Sequence, residues 1–203
     1  MAGADERPPP SLDRVGAFSD GVFAIAITLL ILPLTDAQIR DGHVREDLLA
    51  LQHEFFAMVL SFAVIGRFWL LHHEDLRAMT GAGRRMLVAN LVFLFFVVLL
   101  PFPTALLGDG YSVTATIFYA LAIAATSASS LLLWWTAERD GVLDERAAVR
   151  ARSRYYGTVA LIVAFLPSIP LTSVSPVGAR LSWALIIPLG LLAGRLEKSR
   201  RAG

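Results

Sequence analysis

Six runs of apolar residues leave this 203-residue chain few ways to fold. They cover about 17–34, 55–71, 86–107, 112–135, 155–174 and 179–194. Each is close to the roughly 20 residues that a helix needs to cross a bilayer. The apolar residues come in blocks rather than at amphipathic spacing, which is the pattern expected when lipid is the solvent. A composition 56% apolar and 17% charged agrees with that. The expected fold is therefore an all-α integral membrane protein with six transmembrane helices over 14–195, flanked by tails at 1–13 and 196–203. With no cysteine, neither a disulfide framework nor a Cys-based metal site can form. A net charge of +1 is too small to suggest nucleic acid. The first residues, MAGADERPPPSLD, are acidic and proline-rich, unlike a cleavable signal peptide.

Lys and Arg set the orientation. Placing the N-terminus in the cytoplasm puts fourteen of the 18 in inner segments and three in outer loops, with Arg67 inside the second helix. The expectation is a multi-pass protein of the cell membrane with both termini cytoplasmic.

That topology starts the first helix, ends the second and starts the third at the inner face. Arg14, Phe18, Ser19, Asp20, Arg67, Trp69, His72, His73 and Asn90 then lie near one depth. A carboxylate at the edge of an apolar span needs a partner or a watery cavity, since an unpaired Asp or Arg costs roughly 2.5–3.5 kcal/mol or more on insertion scales. Arg67, His72 and Asn90 are candidate partners for Asp20 or Ser19. The same cluster also reads simply as a tie between three helix ends. Imidazole titrates near neutral pH, which adds a tuning role for His72 and His73. Adjacent residues on a helix point about 100° apart, so these two histidines cannot share one metal ion without a chain break; no metal or cofactor is expected.

In the apolar part of the first helix, Ile25, Leu29 and Leu32 follow i, i+4, i+7 spacing, with Phe18, Gly21 and Thr28 close to that face. On a lone helix such a stripe is packing. In a ring of helices it becomes a constriction that gates by dewetting. Nothing resembling the TVGYG carbonyl filter occurs in the chain.

Arg14, Phe18, Ser19 and Asp20 match R-x-x-x-F-S-D without a departure. With GVFAIAITLLILPL after them, RFWLLHH in the second block, and Asn90 through LPFPT in the third, the first half of the chain resembles the transmembrane protein 175 family. This is the lysosomal potassium channel family with its prokaryotic relatives. The resemblance implies a six-helix unit of the prokaryotic type, assembled as a homotetramer whose first helices surround a central pore permeable to potassium ions. It also implies an inner polar network onto which Arg14, Ser19, Asp20, Trp69 and His73 map. The narrowest ring would fall at Ile25, with Leu29 and Leu32 as further layers and Thr28 facing the pore.

The expected function is thus passive, potassium-permeable conduction with a hydrophobic constriction on the first helix. The alternative is a proton-coupled secondary transporter using Asp20, Arg67 and the histidines, compatible with the Pro-broken fifth and sixth segments. A membrane enzyme is disfavoured because the inner polar set offers no convincing nucleophile.

Overall fold

A computed structural model describes residues 12–110 and 112–144, together with 158, 165, 166, 168–172, 174, 175, 178, 179 and 183. The fifth and sixth apolar blocks, and with them the expected count of six helices, lie largely outside these residues. Among the described residues every regular element is helical: α1 (Leu12–Leu29), α2 (Leu32–Thr35), α3 (Val44–Ala50), α4 (Gln52–Arg77), α5 (Arg84–Leu99), α6 (Pro101–Gly108), α7 (Val113–Arg139) and α8 (Ser168–Leu171). Four segments are long and apolar enough to cross a membrane: Leu12–Thr35, Gln52–Arg77, Arg84–Gly108 and Val113–Arg139.

Two of these spans are interrupted, each just before a proline. Pro33 lacks the N–H that would bond the Leu29 carbonyl, so the chain tightens there. Leu30 and Ile31 donate to Ile27 and Thr28, three residues back, before α2 begins. Pro101 acts alike: the Leu100 N–H turns to Val97 O, and α6 starts afresh. The sequence predicts the first of these spans as a single helix. Leu32 lies past the interruption, in α2, and is exposed like Ile25 and Leu29.

The connection between the first two spans, a polar stretch in the sequence, contains the amphipathic turn α3. Arg40 reaches back to Asp47 there, Nη2 to Oδ1 at 2.6 Å, while the Arg40 backbone N–H donates to Asp47 Oδ2 at 2.8 Å. These bonds hold the Asp47 carboxyl below the usual carboxylate range. The second helix also runs further than its apolar block, continuing through His73–Asp75 to Arg77.

The core forms where α1 lies against α4 and α5, α4 against α6, and α5 against α7. Phe23, Ile65, Phe68, Phe93, Leu107 and Ile123 are essentially sealed from solvent. A Cβ added at Gly108 would sit 3.1 Å from the Glu54 Cα, so a glycine there lets α6 end against the start of α4. Gly110, at φ +112°, turns the chain into α7, whose first turn is capped by Ser112 accepting from the Ala115 N–H at 3.3 Å.

Small residues on α7 sit at these contacts, with Ala115, Ala120, Ser127, Ser129 and Ser130 all buried. Lipid gives no hydrophobic drive between helices, so close backbone approach and interhelical hydrogen bonds carry the packing. One such set lies between α4, α6 and α7. Ser61 Oγ is 2.9 Å from the Tyr119 hydroxyl, and Thr104 Oγ1 is 2.8 Å from Ser61 Oγ. Nothing in the spacing of Ser61, Thr104 and Tyr119 along the chain announces that meeting; the only signal is three hydroxyls within apolar blocks.

Candidate functional site: the first helix and its inner end

Helical periodicity divides α1 into two faces. Val15, Ser19, Phe23, Ala26 and Leu30 are buried against α4 and α5. Arg14, Phe18, Gly21, Ile25 and Thr28 form the opposite stripe and stay exposed in the protomer. Phe18 is 55% exposed, Ile25 61%, Leu29 38% and Leu32 49%. The Thr28 hydroxyl donates to the Ile25 carbonyl at 2.8 Å, so only its acceptor lone pairs are left for anything outside the helix.

Near the start of α1, α4 and α5 converge on it. Trp69 Nε1 of α4 donates to Asp20 Oδ1 at 2.8 Å. Trp69 in turn stacks on His73 one turn on, with ring centroids 5.8 Å apart and planes at 29°. From α5, Asn90 Nδ2 donates to Ser19 Oγ at 3.3 Å, and Ser19 Oγ donates to the Val15 carbonyl at 2.8 Å. Adjacent residues of α1 thus reach different neighbours, because consecutive side chains diverge by about 100°.

The two histidines part company for the same reason. His72 is 2% exposed and lies with Phe23 and Phe93, at centroid distances of 5.9 and 5.2 Å. His73 is exposed and belongs to the Trp69 side. Asp75, buried one turn after His72 on α4, is an acid that apolar patterning alone assigns to a loop. The one signal for it is helical spacing: with α4 extended past its apolar block, His72 and Asp75 stand at i, i+3.

Asp20 takes its hydrogen bond from Trp69 and not from Arg67. Arg67 lies on another side of α4, is exposed, and makes no ion pair among the described residues. Positions 67 and 69 differ by about 200° around the helix, so equal depth does not bring both to α1. Arg14 is likewise exposed and without an ion pair among the described residues. It shares the open stripe with Phe18 and Ile25. The cluster at the start of α1 therefore consists of Ser19, Asp20, Trp69, His73 and Asn90 in polar or ring contact. His72 packs behind it and the two arginines stand outside it.

Comparison with known proteins places this arrangement. Residues 14–101 match the family model described as "Endosomal/lysosomal potassium channel TMEM175". A potassium channel of Streptomyces collinus is 38% identical over 156 residues, 70% of this chain and 74% of that protein. The endosomal/lysosomal proton channel TMEM175 of Danio rerio is 34% identical over 163 residues, 73% of this chain and 31% of that protein. This chain therefore spans about a third of the fish protein. The crystal structure of a lysosomal potassium-selective channel TMEM175 homolog from Chamaesiphon minutus superposes with a TM-score of 0.70 at 29% identity. That match covers 89% of this chain and 96% of the crystallised one. Identity along three quarters of one relative, and a fold shared with nearly all of another, make this chain a member of the TMEM175 family.

Proposed function

We propose that the protein is a potassium-permeable cation channel. It conducts passively through a central pore lined by α1 in a homotetramer of six-helix protomers, with both termini in the cytoplasm. The observation that carries this reading is the uncovered face of α1. Lipid suits Phe18, Ile25 and Leu29, but the same open side of α1 carries Arg14, Asp20 and Thr28, a surface that also needs water. Four such stripes facing one axis satisfy it, and the potassium channel names of the Streptomyces and Chamaesiphon relatives agree.

In this reading the exposed stripe has two zones. Arg14, with Asp20 beside the stripe, holds the inner end, where charge tolerates water and keeps cations hydrated. Beyond them Ile25 forms a ring of branched hydrocarbon, and Leu29 and Leu32 continue the lining past the break that precedes Pro33. A narrow apolar ring resists wetting and so sets both conductance and gating. Thr28, one turn from Ile25, offers the nearest hydroxyl oxygen to an ion leaving the constriction. The Asp20–Trp69 and Ser19–Asn90 bonds hold the inner turn of α1 against α4 and α5. The ring of Ile25 side chains then keeps a set diameter.

Bilayer recordings of purified protein under potassium and sodium gradients test the reading. Single-channel currents that reverse toward the potassium equilibrium potential are expected. Flux that follows a proton gradient without unitary currents would point to proton-coupled transport instead, and absence of both would leave an inert scaffold.

A further inference from the structure

At the inner end of α5 the charges run against the helix. Arg84 and Arg85 open its first turn, where the free N–H groups carry positive partial charge and favour an anion. That turn has no acidic residue, and the preceding Gly83 supplies no side-chain cap. Asp140, just after α7, answers part of the imbalance: its Oδ1 lies 3.5 Å from Arg85 Nη1. A Cβ at position 83 would come within 2.5 Å of its Oδ2, so glycine leaves room for the carboxylate in this position. Arg84 is exposed and makes no ion pair among the described residues.

Directly beneath this pair, α5 and α7 leave a groove of about 340 Å³, walled by Val88, Ala89, Val92, Leu132 and Thr136, with both arginines at its mouth. The Thr136 hydroxyl donates to the Leu133 carbonyl at 2.8 Å, so the walls offer no free donor. Arg84, Val88 and Val92 follow i, i+4, i+8, a stripe about 12 Å long running from the charged end toward the bilayer centre. Val88 and Val92 are 56% and 37% exposed, so none of the described residues covers the slot. Trp135 flanks it, half-exposed with the Arg139 guanidinium 4.4 Å above its ring, an arrangement suited to the headgroup level.

We propose that this groove is a binding site for one anionic phospholipid of the leaflet at which α5 begins. The phosphate would lie on Arg84 and the uncapped start of α5, and one acyl chain would lie along Val88, Val92 and Leu132. The charge asymmetry selects this occupant. A zwitterionic lipid would bring the same phosphate but also an ammonium beside Arg84 and Arg85, and an apolar helix would bring no anion to a positive charge that Asp140 only partly offsets. The proposal concerns the α5–α7 side of the protomer and stands whether or not α1 lines a pore.

The test is a lipid titration of the purified, detergent-solubilised protein by native mass spectrometry, paired with thermal stability. Phosphatidylglycerol, phosphatidylcholine of the same chains, and inorganic phosphate alone are compared. Phosphatidylglycerol is expected to bind and raise Tm, with phosphatidylcholine weaker and inorganic phosphate without effect. Arg84→Gln should weaken phosphatidylglycerol about fivefold, the loss expected for one arginine at a lipid surface, and leave phosphatidylcholine unchanged. Arg84→Lys should retain most of the binding, and Val88→Trp should block both lipids. Equal binding of the two lipids, or phosphatidylglycerol binding unaltered in Arg84→Gln, would overturn the proposal. A full Tm shift from inorganic phosphate would also overturn it, leaving an anion site with no lipid. Should Arg84→Gln fail to fold, Val88→Trp decides, since wild-type phosphatidylglycerol binding in that variant removes the groove as the site.

Discussion

The two faces of α1 are made from much the same residue types, yet they do different work. The buried stripe, Val15, Ser19, Phe23, Ala26 and Leu30, meets α4 and α5 at close range. Its one polar member is bonded on both sides, donating to Val15 and accepting from Asn90. The open stripe, Phe18, Ile25, Thr28 and Leu29, is left uncovered by the described residues. Within lipid the difference is not hydrophobicity, since tails solvate isoleucine as readily as phenylalanine does. What separates the faces is whether a neighbouring helix supplies complementary atoms. Stability therefore belongs to one face and conduction, in our reading, to the other.

The largest expected break in that division is Phe23→Ala. This ring is 1% exposed and sits against both His72 and Phe93. Its loss should cost on the order of 3 kcal/mol, the low end for large-to-small changes, because exposure to lipid carries less penalty than exposure to water. Unfolding in mixed micelles reads this directly. A cost near zero would mean that the buried face does not hold the fold.

Trp69→Phe comes next. It keeps the ring that stacks on His73 but removes the donor to Asp20, leaving a carboxylate without its hydrogen bond. We expect a loss of about 1 kcal/mol, modest because both side chains are partly open in the protomer. An accompanying drop in the proposed oligomer on size-exclusion chromatography would show that the bond positions α1 for assembly.

Ile25→Asn should be the mirror image. In the protomer its side chain is 61% exposed and braces nothing, so folding stability should change by less than about 0.5 kcal/mol. Conductance or cation preference should change clearly in bilayer recordings. Wild-type currents from this variant would take Ile25 out of the ion path, and severe unfolding would erase the contrast between the faces.

The smallest effect is expected far from both faces, in the α3 connection. The Arg40 side chain and backbone hold the Asp47 carboxyl below its ordinary range. A depressed folded-state value means that the bond contributes fully above the ordinary carboxylate range and is lost as pH falls through the lowered one. Amide protection at Arg40, whose N–H donates to Asp47, should be flat from about pH 7 to 5 and fall below about pH 4. Asp47→Asn should abolish that pH dependence while the spans stay intact. If it instead loosened α1, the two faces would not be insulated from the α3 connection.

Much of this division can be traced along the chain itself. Ser19 and Asp20, adjacent at the mouth of an apolar block, have to diverge around a helix, and Ile25 with Leu29 has to share a face. The choice between His72 and His73 is not legible there, because two neighbours on a helix differ only in the direction they face. The same holds for Arg67. Its depth matches Asp20, and depth is all that topology offers; Trp69, 200° away around α4, makes the contact. The slot between α5 and α7 escapes as well, since Val88 and Leu132 are ordinary apolar residues until two helices leave a gap between them.

The sequence by itself determined the solvent of this protein, the spans among its described residues and the chemistry gathered at one end of its first helix. Apolar length, proline position and motif spacing are local quantities, and they suffice for that. The tertiary structure alone decided which partner Asp20 takes, which histidine is buried, and which stripe of α1 is left uncovered. Those outcomes depend on the rotation of one helix against another. Periodicity groups residues onto a face but carries no information about the neighbour that the face will meet.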